Sequence, residues 1–225
     1  MDEVSTCFLE KTATTNDAPQ IYWTLEVLGQ SFNLPIDDYT ITAKTIKVYN
    51  SWLVDKPYAI TLSYEAFLLQ IFEHYSLIFA SKRVEGKSLS SSQQNRHIEL
   101  CKLAIQSIDK CIKTNAEMFG KETWIRILKI LLGSTDYILK EDTDKYITDG
   151  LGESILWTLF SCWLLSGVID AEMWSRLKNM FSKWVLRMQS VVQWNVLMFG
   201  LTQRVSKLLT NEGNNSTRTH VEFQL

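Results

Sequence analysis

Residues 153–169 read ESILWTLFSCWLLSGVI, and this stretch decides the fold. Between Ile155 and Leu165 the side chains are apolar except at Thr158 and Ser161. A helix that is apolar on nearly all of its faces is either buried in a protein core or spans a membrane. The run covers roughly 15 residues, fewer than the ~20 that a bilayer requires. We therefore predict a buried central helix that the neighbouring amphipathic helices cover.

Composition favours a helical protein with a sizeable core and excludes some classes of partner. The chain has 225 residues, 46% of them hydrophobic, with only three prolines and nine glycines. The net charge of -2 gives no basic footprint for nucleic acid. The N-terminal sequence MDEVSTCFLEK lacks the apolar segment of a signal peptide. These features predict a cytoplasmic protein, and no motif calls for a cofactor.

Apolar residues recur at helical spacing along most of the chain. The cleanest stripe has intervals of 3, 4, 3 and 4 and consists of Ile98, Cys101, Ile105, Ile108 and Ile112. Residues 41–49 are rich in β-branched side chains, which would allow a strand, but their stripe spacing favours a helix. We predict an all-α fold of about eight antiparallel helices.

The helices group into pairs that begin near residues 18, 64, 120 and 170. This layout is typical of an α-solenoid of the HEAT or armadillo kind, and a right-angled helical array or globular bundle is the alternative. We expect a flexible N-terminal tail at 1–16, a single helical domain at 17–210, and a polar tail or linker at 211–225.

The candidate sites for chemistry each have a simpler structural explanation. His97 and Cys101 are four residues apart and could point the same way as metal ligands, but no second pair has matching spacing. We expect Cys101 in the core and no metal. His74 could act as a general base, yet no nucleophile stands at a recognisable spacing, so we expect it at a partly exposed surface.

Two loop-like stretches could bind ions. Residues 150–154, GLGES, resemble a phosphate-binding loop without its lysine, and we expect them to break or fray the start of a helix. The acidic residues 141–144, EDTD, could bind a cation or a basic partner. Their spacing is not that of a calcium loop, so a solvated loop is the favoured interpretation.

Tryptophans could line a ligand pocket or fill the core. Four of them fall on apolar stripes and are predicted to be core residues: Trp52, Trp124, Trp184 and Trp194. A ligand-binding bundle would instead place Trp157 and Trp163 around a cavity. Exposed apolar residues off the stripes would be candidates for partner binding, and we assign Tyr39, Phe119 and Tyr146 to this group.

Several short segments, in order along residues 21–204, resemble the N-terminal region of Ral GTPase-activating protein beta subunits, which are related to tuberin. Residues 55–118 align only by position. The matching residues are Trp23–Leu28, Leu34–Asp37, Val48-Tyr49 with Trp52, Glu122–Trp124 with Asp136, Ile138 and Leu139, Leu159-Phe160 with Trp163–Leu165, and Val191–Trp194 with Leu201-Thr202 and Arg204.

The resemblance implies a helical solenoid in a non-catalytic regulatory subunit. In this family the beta subunit pairs with a catalytic alpha subunit, and the complex stimulates GTP hydrolysis by Ral-type small GTPases. The GAP domain of such chains lies at their far C-terminal end, so no catalytic residue carries over. We expect an N-terminal fragment that acts as a scaffold. A ligand-binding helical bundle, an unrelated helical adaptor and a helical enzyme are the alternatives.

Overall fold

The computed structural model describes residues 18–55, 64–80, 88–168 and 170–211. Within these ranges there are eight α-helices and no β-strand. The helices are α1 Ala18–Gly29, α2 Tyr39–Asp55, α3 Tyr64–Ile78, α4 Ser91–Asn115, α5 Lys121–Leu139, α6 Lys145–Ser166, α7 Ala171–Trp184 and α8 Met188–Asn211. The all-α prediction is confirmed, and residues 41–49 are helical.

Each helix packs against the helix two places further along the chain. The contacting pairs are α1 with α3, α2 with α4, α3 with α5, α4 with α6, α5 with α7, and α6 with α8. The odd-numbered helices therefore form one layer and the even-numbered helices form a second. The layers meet most extensively between α5 and α6. The HEAT or armadillo assignment and the division into tail, domain and linker stay predictions; the proposed tail at 1–16 lies outside the described residues.

Helix α6 contains the apolar stretch that begins at Glu153 and contacts α4, α5 and α8. Ile155, Leu156 and Leu159 are fully buried along its length, and Leu165 in its last turn is 39% exposed. The predicted buried central helix is thus confirmed, although the apolar side chain in its last turn is exposed to solvent. Among the described residues, no helix is both long enough and apolar enough to cross a membrane.

Two glycines that were expected to interrupt α6 lie inside it. A Cβ atom at Gly150 would lie 2.7 Å from Ile98 Cδ1, and one at Gly152 would lie 3.3 Å from Leu139 Cδ2. The missing side chains therefore let α6 approach α4 and α5 closely. Helix propensity alone penalises each glycine by about 1 kcal/mol. The prediction of a broken or frayed start was wrong because this close packing overrides propensity.

The ends of α6 and α7 follow from local chemistry. Gly167 ends α6 with φ of 56°, a left-handed conformation that glycine adopts without a steric penalty. Asp170 then caps α7, because its Oδ1 accepts a 2.9 Å hydrogen bond from the backbone N–H of Met173. Asp17 and Ser63 precede the apolar runs of α1 and α3, where their side chains predict similar caps, but both residues lie outside the described ranges.

Candidate functional site

The predicted His97 and Cys101 pair does share one helical face, but its polar atoms bind the protein itself. His97 is fully buried; its Nε2 lies 2.7 Å from the carbonyl oxygen of Ile78, and its Nδ1 lies 2.9 Å from Tyr146 Oη. Because a carbonyl only accepts, Nε2 donates and Tyr146 donates to Nδ1. Cys101 Sγ reaches the same Ile78 oxygen at 3.5 Å. The pair joins α4 to the end of α3 and the start of α6.

No metal centre emerges from the residues that the structure describes, since no group of three or more histidine, cysteine, aspartate or glutamate side chains is close enough to hold an ion. Cys101, Cys111 and Cys162 are all buried free thiols. Burial raises the pKa of the Cys162 thiol far above its usual value. This thiol is therefore an inert core group and not a nucleophile.

His74 is half-buried and takes part in a small hydrogen-bonded cluster. The buried Tyr49 Oη lies 2.9 Å from the Leu25 carbonyl oxygen and 2.8 Å from His74 Nδ1. Since Tyr49 donates to Leu25, His74 donates to Tyr49. A Cβ at Gly29 would lie 2.6 Å from His74 Cε1, so the glycine makes room for the ring. The cluster joins α1, α2 and α3 and contains no reactive nucleophile.

Burial lowers the pKa of the His74 imidazole below its usual 6.5, and the Glu26 and Glu73 carboxylates partly oppose this shift. As the pH falls below about 6.5, the unfolded chain therefore gains a proton that the folded chain does not. We expect the free energy of unfolding to decrease as the pH is lowered through this range. It should level off below the folded-state pKa of His74.

The variant His74→Gln keeps a donor for Tyr49 and removes this proton. We expect the free energy of unfolding of this variant to change less with pH than that of the wild type. The difference between the two slopes should stay below about 1.4 kcal/mol per pH unit, which is the limit for one proton. Chemical denaturation between about pH 5 and 7 measures both slopes. Identical slopes would contradict a depressed His74 pKa.

The tryptophans predicted to be core residues are core residues. Trp52, Trp124 and Trp184 are buried, and Trp194 is half-buried against Phe181, with ring centroids 4.8 Å apart. Trp23 was not assigned to this group, and it is 60% exposed on α1. The stripes therefore identify these buried rings correctly, and Trp23, outside the stripes, is at the surface.

Trp157 and Trp163 have different surroundings. Trp163 is buried edge-to-face against Trp174, with centroids 5.1 Å apart. Trp157 instead lines an open cleft of about 310 Å³ together with the carboxylates of Asp109 and Glu153. This cleft between α4, α6 and α8 is open to solvent, and both apolar and polar side chains line it. It differs from the enclosed apolar cavity that a carrier of apolar ligands would need.

The three residues proposed as exposed partner contacts are buried or half-buried against other parts of the chain. Phe119 is buried edge-to-face against Trp124 at 5.3 Å, so the expectation of exposure was wrong for it. Tyr146 is half-buried against His97, and the Arg96 guanidinium carbon lies 4.7 Å from the Tyr39 ring centroid. These residues lie at helix ends, where the chain folds back onto neighbouring helices, and a stripe pattern does not detect such contacts.

The acidic loop at 141–144 is held by a residue that sequence reasoning missed. Arg187, between α7 and α8, donates from Nε to the carbonyl oxygen of Leu139 at 3.2 Å and from Nη2 to that of Lys140 at 2.8 Å. The same Nη2 lies 3.2 Å from the Glu141 carbonyl oxygen. A guanidinium thus binds the backbone at the start of the loop. No spacing in the sequence links positions 187 and 141.

Large apolar side chains are exposed in the last helical pair. Leu186, in the turn before α8, is 85% exposed, and Met188 and Phe199 in α8 are 72% and 65% exposed. Met198 follows Trp194 by four residues, a spacing that predicts a position on the inner side of this helix, but its side chain is exposed. Several exposed large apolar side chains on one helix and the turn before it are more typical of an interaction site than of a solvated surface. It is the strongest candidate for a functional surface among the described residues.

Comparison with known proteins identifies one family. The family model for the RALGAPB N-terminal domain matches residues 93–212, slightly more than half of the 225 residues. The matched range begins in α4 and includes α5 to α8. It includes residues 93–118, which the resemblance aligned only by position. The resembling segments between residues 21 and 52 lie before the matched range.

A Rap-GAP domain-containing protein from Dictyostelium discoideum is 27% identical over 139 residues. The alignment covers 57% of this chain and 9% of the relative, so the chain spans less than a tenth of that relative's length. No solved structure matches the chain.

Proposed function

Because the chain belongs to the RALGAPB N-terminal domain family, we propose that it is a non-catalytic helical scaffold in a GTPase-activating protein complex. The complex would act on Ral-type small GTPases. A catalytic alpha-type subunit would be the direct partner, and the GTPase would be reached through that subunit. We place this complex in the cytoplasm.

The family match over residues 93–212 carries this proposal. The matched range includes the central helix α6 and the exposed apolar side chains of α8. It therefore contains both the most buried helix of the fold and the best candidate interaction surface. The Dictyostelium relative bears the name of a Rap-GAP domain, while the matched part is a small fraction of its length.

The side chains of the described residues support binding over chemistry. GTPase activation commonly uses an arginine that reaches into the nucleotide site and stabilises charge in the transition state. The arginines with described side chains are all engaged within the chain. Arg96 lies over Tyr39, Arg126 pairs with Glu73 at 3.7 Å, Arg176 pairs with Glu172 at 2.7 Å, and Arg187 binds backbone carbonyls.

Co-expression with a RalGAP catalytic alpha subunit tests the proposal. We expect the affinity-tagged chain to retain the alpha subunit through size-exclusion chromatography, whereas an unrelated tagged helical protein should not. The variant Trp184→Ala, which is expected to weaken the packing of the last helical pair on α5, should retain less of the alpha subunit than the wild type. If the folded wild-type chain never retains it, the proposed partner is wrong.

A further inference from the structure

The cleft of about 310 Å³ between α4, α6 and α8 carries negative charge on two of its sides. Asp109 lines it from α4, and Glu153 lines it from α6. In the described part of the chain, no lysine or arginine is among its lining residues. Pockets for small molecules begin at about 300 Å³, so this cleft suits a single cationic side chain better than a larger ligand.

Trp157 gives the same cleft an aromatic surface. It follows Glu153 by four residues on α6, so the two side chains project from one side of the helix. Trp157 is half-buried, which leaves part of its side chain accessible from the cleft. The face of an indole ring attracts cations more strongly than the other aromatic rings do. A cation in the cleft would therefore meet an aromatic ring as well as the two carboxylates.

The Asp109 carboxylate is only partly paired within the chain. Its Oδ2 lies 2.8 Å from Nζ of Lys113, four residues further along α4. Its Oδ1 is buried and has no hydrogen-bond partner among the described residues. A buried polar atom without a partner is unfavourable. A donor that enters the cleft beside Asp109 would supply the missing hydrogen bond.

Glu153 also keeps acceptor capacity for a ligand. It is exposed, and its Oε1 lies 3.3 Å from Nε2 of the buried Gln193 in α8. An ionised carboxylate has about four acceptor positions on its two oxygens. The contact with Gln193 therefore holds the Glu153 carboxylate beside α8 and leaves room for a further donor.

An arginine side chain combines the properties that these groups require. Its planar guanidinium stacks on aromatic rings and pairs with carboxylates through several N–H donors in a fixed arrangement. The lysine ammonium is a compact, more strongly hydrated charge that does not stack. A metal ion fits less well, because calcium takes about six to eight oxygen ligands and only two carboxylates line this cleft in the described residues.

We propose that the cleft between α4, α6 and α8 binds an arginine side chain of a partner protein. The guanidinium lies against the Trp157 ring and donates to Glu153 and to Oδ1 of Asp109. The pair between Asp109 and Lys113 uses the other carboxylate oxygen, so it does not block this contact. The inference rests on the cleft alone and does not depend on the proposed alpha subunit being the partner.

Nuclear magnetic resonance of the isotope-labelled 225-residue chain tests the proposal through its tryptophan indole N–H signals. The probe is the peptide acetyl-Gly-Arg-Gly-amide, in which the guanidinium is the only charge. We expect the Trp157 signal, identified by its absence from Trp157→Leu, to shift with a dissociation constant on the order of 1–10 mM. The same peptide with citrulline has a neutral side chain of similar shape and should bind at least about tenfold more weakly. A lysine peptide should also bind more weakly than the arginine peptide.

Glu153→Gln should raise the dissociation constant of the arginine peptide at least about fivefold, because hydrogen bonds to charged groups are stronger than neutral ones. Glu99→Gln is the matched control. It makes the same change at an exposed position of α4 that does not line the cleft, and it should leave the dissociation constant unchanged. Since Glu153 and Glu99 are both exposed, both variants should keep the helical circular dichroism of the wild type.

Four results would each overturn the proposal. The Trp157 signal fails to shift with the arginine peptide, or it shifts equally with the citrulline or lysine peptide. Calcium chloride shifts this signal and the arginine peptide does not. Glu153→Gln binds the arginine peptide as tightly as the wild type does.

Discussion

Replacing Trp184 with alanine is expected to lower the free energy of unfolding by about 3–5 kcal/mol. The indole is fully buried at the end of α7, and its Nε1 donates a 3.0 Å hydrogen bond to Asp136 Oδ1 of α5. The substitution creates a cavity and leaves the Asp136 carboxylate without this donor. Both losses weaken the packing of the last helical pair on α5.

Trp174→Ala is the matched control, because it removes the same side chain from the same helix. Trp174 is 37% exposed and packs edge-to-face on Trp163, so we expect a smaller loss than for Trp184, within the range of about 0.5–3 kcal/mol that is usual for single substitutions. Trp184→Phe keeps an aromatic ring at this position and removes the hydrogen bond to Asp136 together with part of the buried volume. Urea denaturation measures all three variants; equal losses for Trp184→Ala and Trp174→Ala would show that Trp184 is not a core residue.

Leu159→Ala in α6 should cost about 2–5 kcal/mol. Leu159 is fully buried in the helix that contacts α4, α5 and α8, so the surrounding side chains cannot relax to fill the cavity without moving these helices. Leu165→Ala makes the same change in the last turn of α6, where the side chain is partly exposed. There we expect about 1 kcal/mol or less.

The two leucine variants separate burial from helix propensity, since they share both the substitution and the helix. Thermal unfolding followed by circular dichroism should give a clearly lower midpoint for Leu159→Ala than for Leu165→Ala. A Leu165→Ala variant at least as destabilised as Leu159→Ala would show that α6 is not packed as described.

Helical spacing in the sequence predicts most of the fold because most of the helices have one dominant buried stripe. In α4 the intervals of 3 and 4 between Ile98 and Ile112 define the side that faces the core, and the structure buries the last four members of that stripe. The same reasoning identifies Trp184 as a core residue. Local periodicity suffices where burial depends on a single helix face.

Contacts between distant positions could not be predicted in this way. Gly150 and Gly152 allow close packing only because Ile98 and Leu139 lie opposite them, and neither neighbour is evident from sequence spacing. Arg187 similarly binds backbone carbonyls almost fifty residues earlier in the chain. Backbone carbonyls are present at every position, so the sequence contains no signal for such a contact.

The candidate surface was missed for a related reason. The helical spacing of Trp194, Met198 and Leu201 predicts that they form the inner stripe of α8, but Met198 is exposed, as is Phe199 next to it. When a helix is apolar on two sides, periodicity alone cannot tell which side faces the protein. Only the position of α6 settles the orientation of α8.

GTP hydrolysis by a purified Ral-type GTPase is the measurement that tests most directly whether this chain acts by binding and not by catalysis. We predict that the chain alone, at an equal or excess molar ratio, leaves the intrinsic hydrolysis rate unchanged. A catalytic GAP supplies a rate increase of about 10³–10⁵. An increase of this size with the chain alone, abolished by substituting one of its own side chains, would contradict the account.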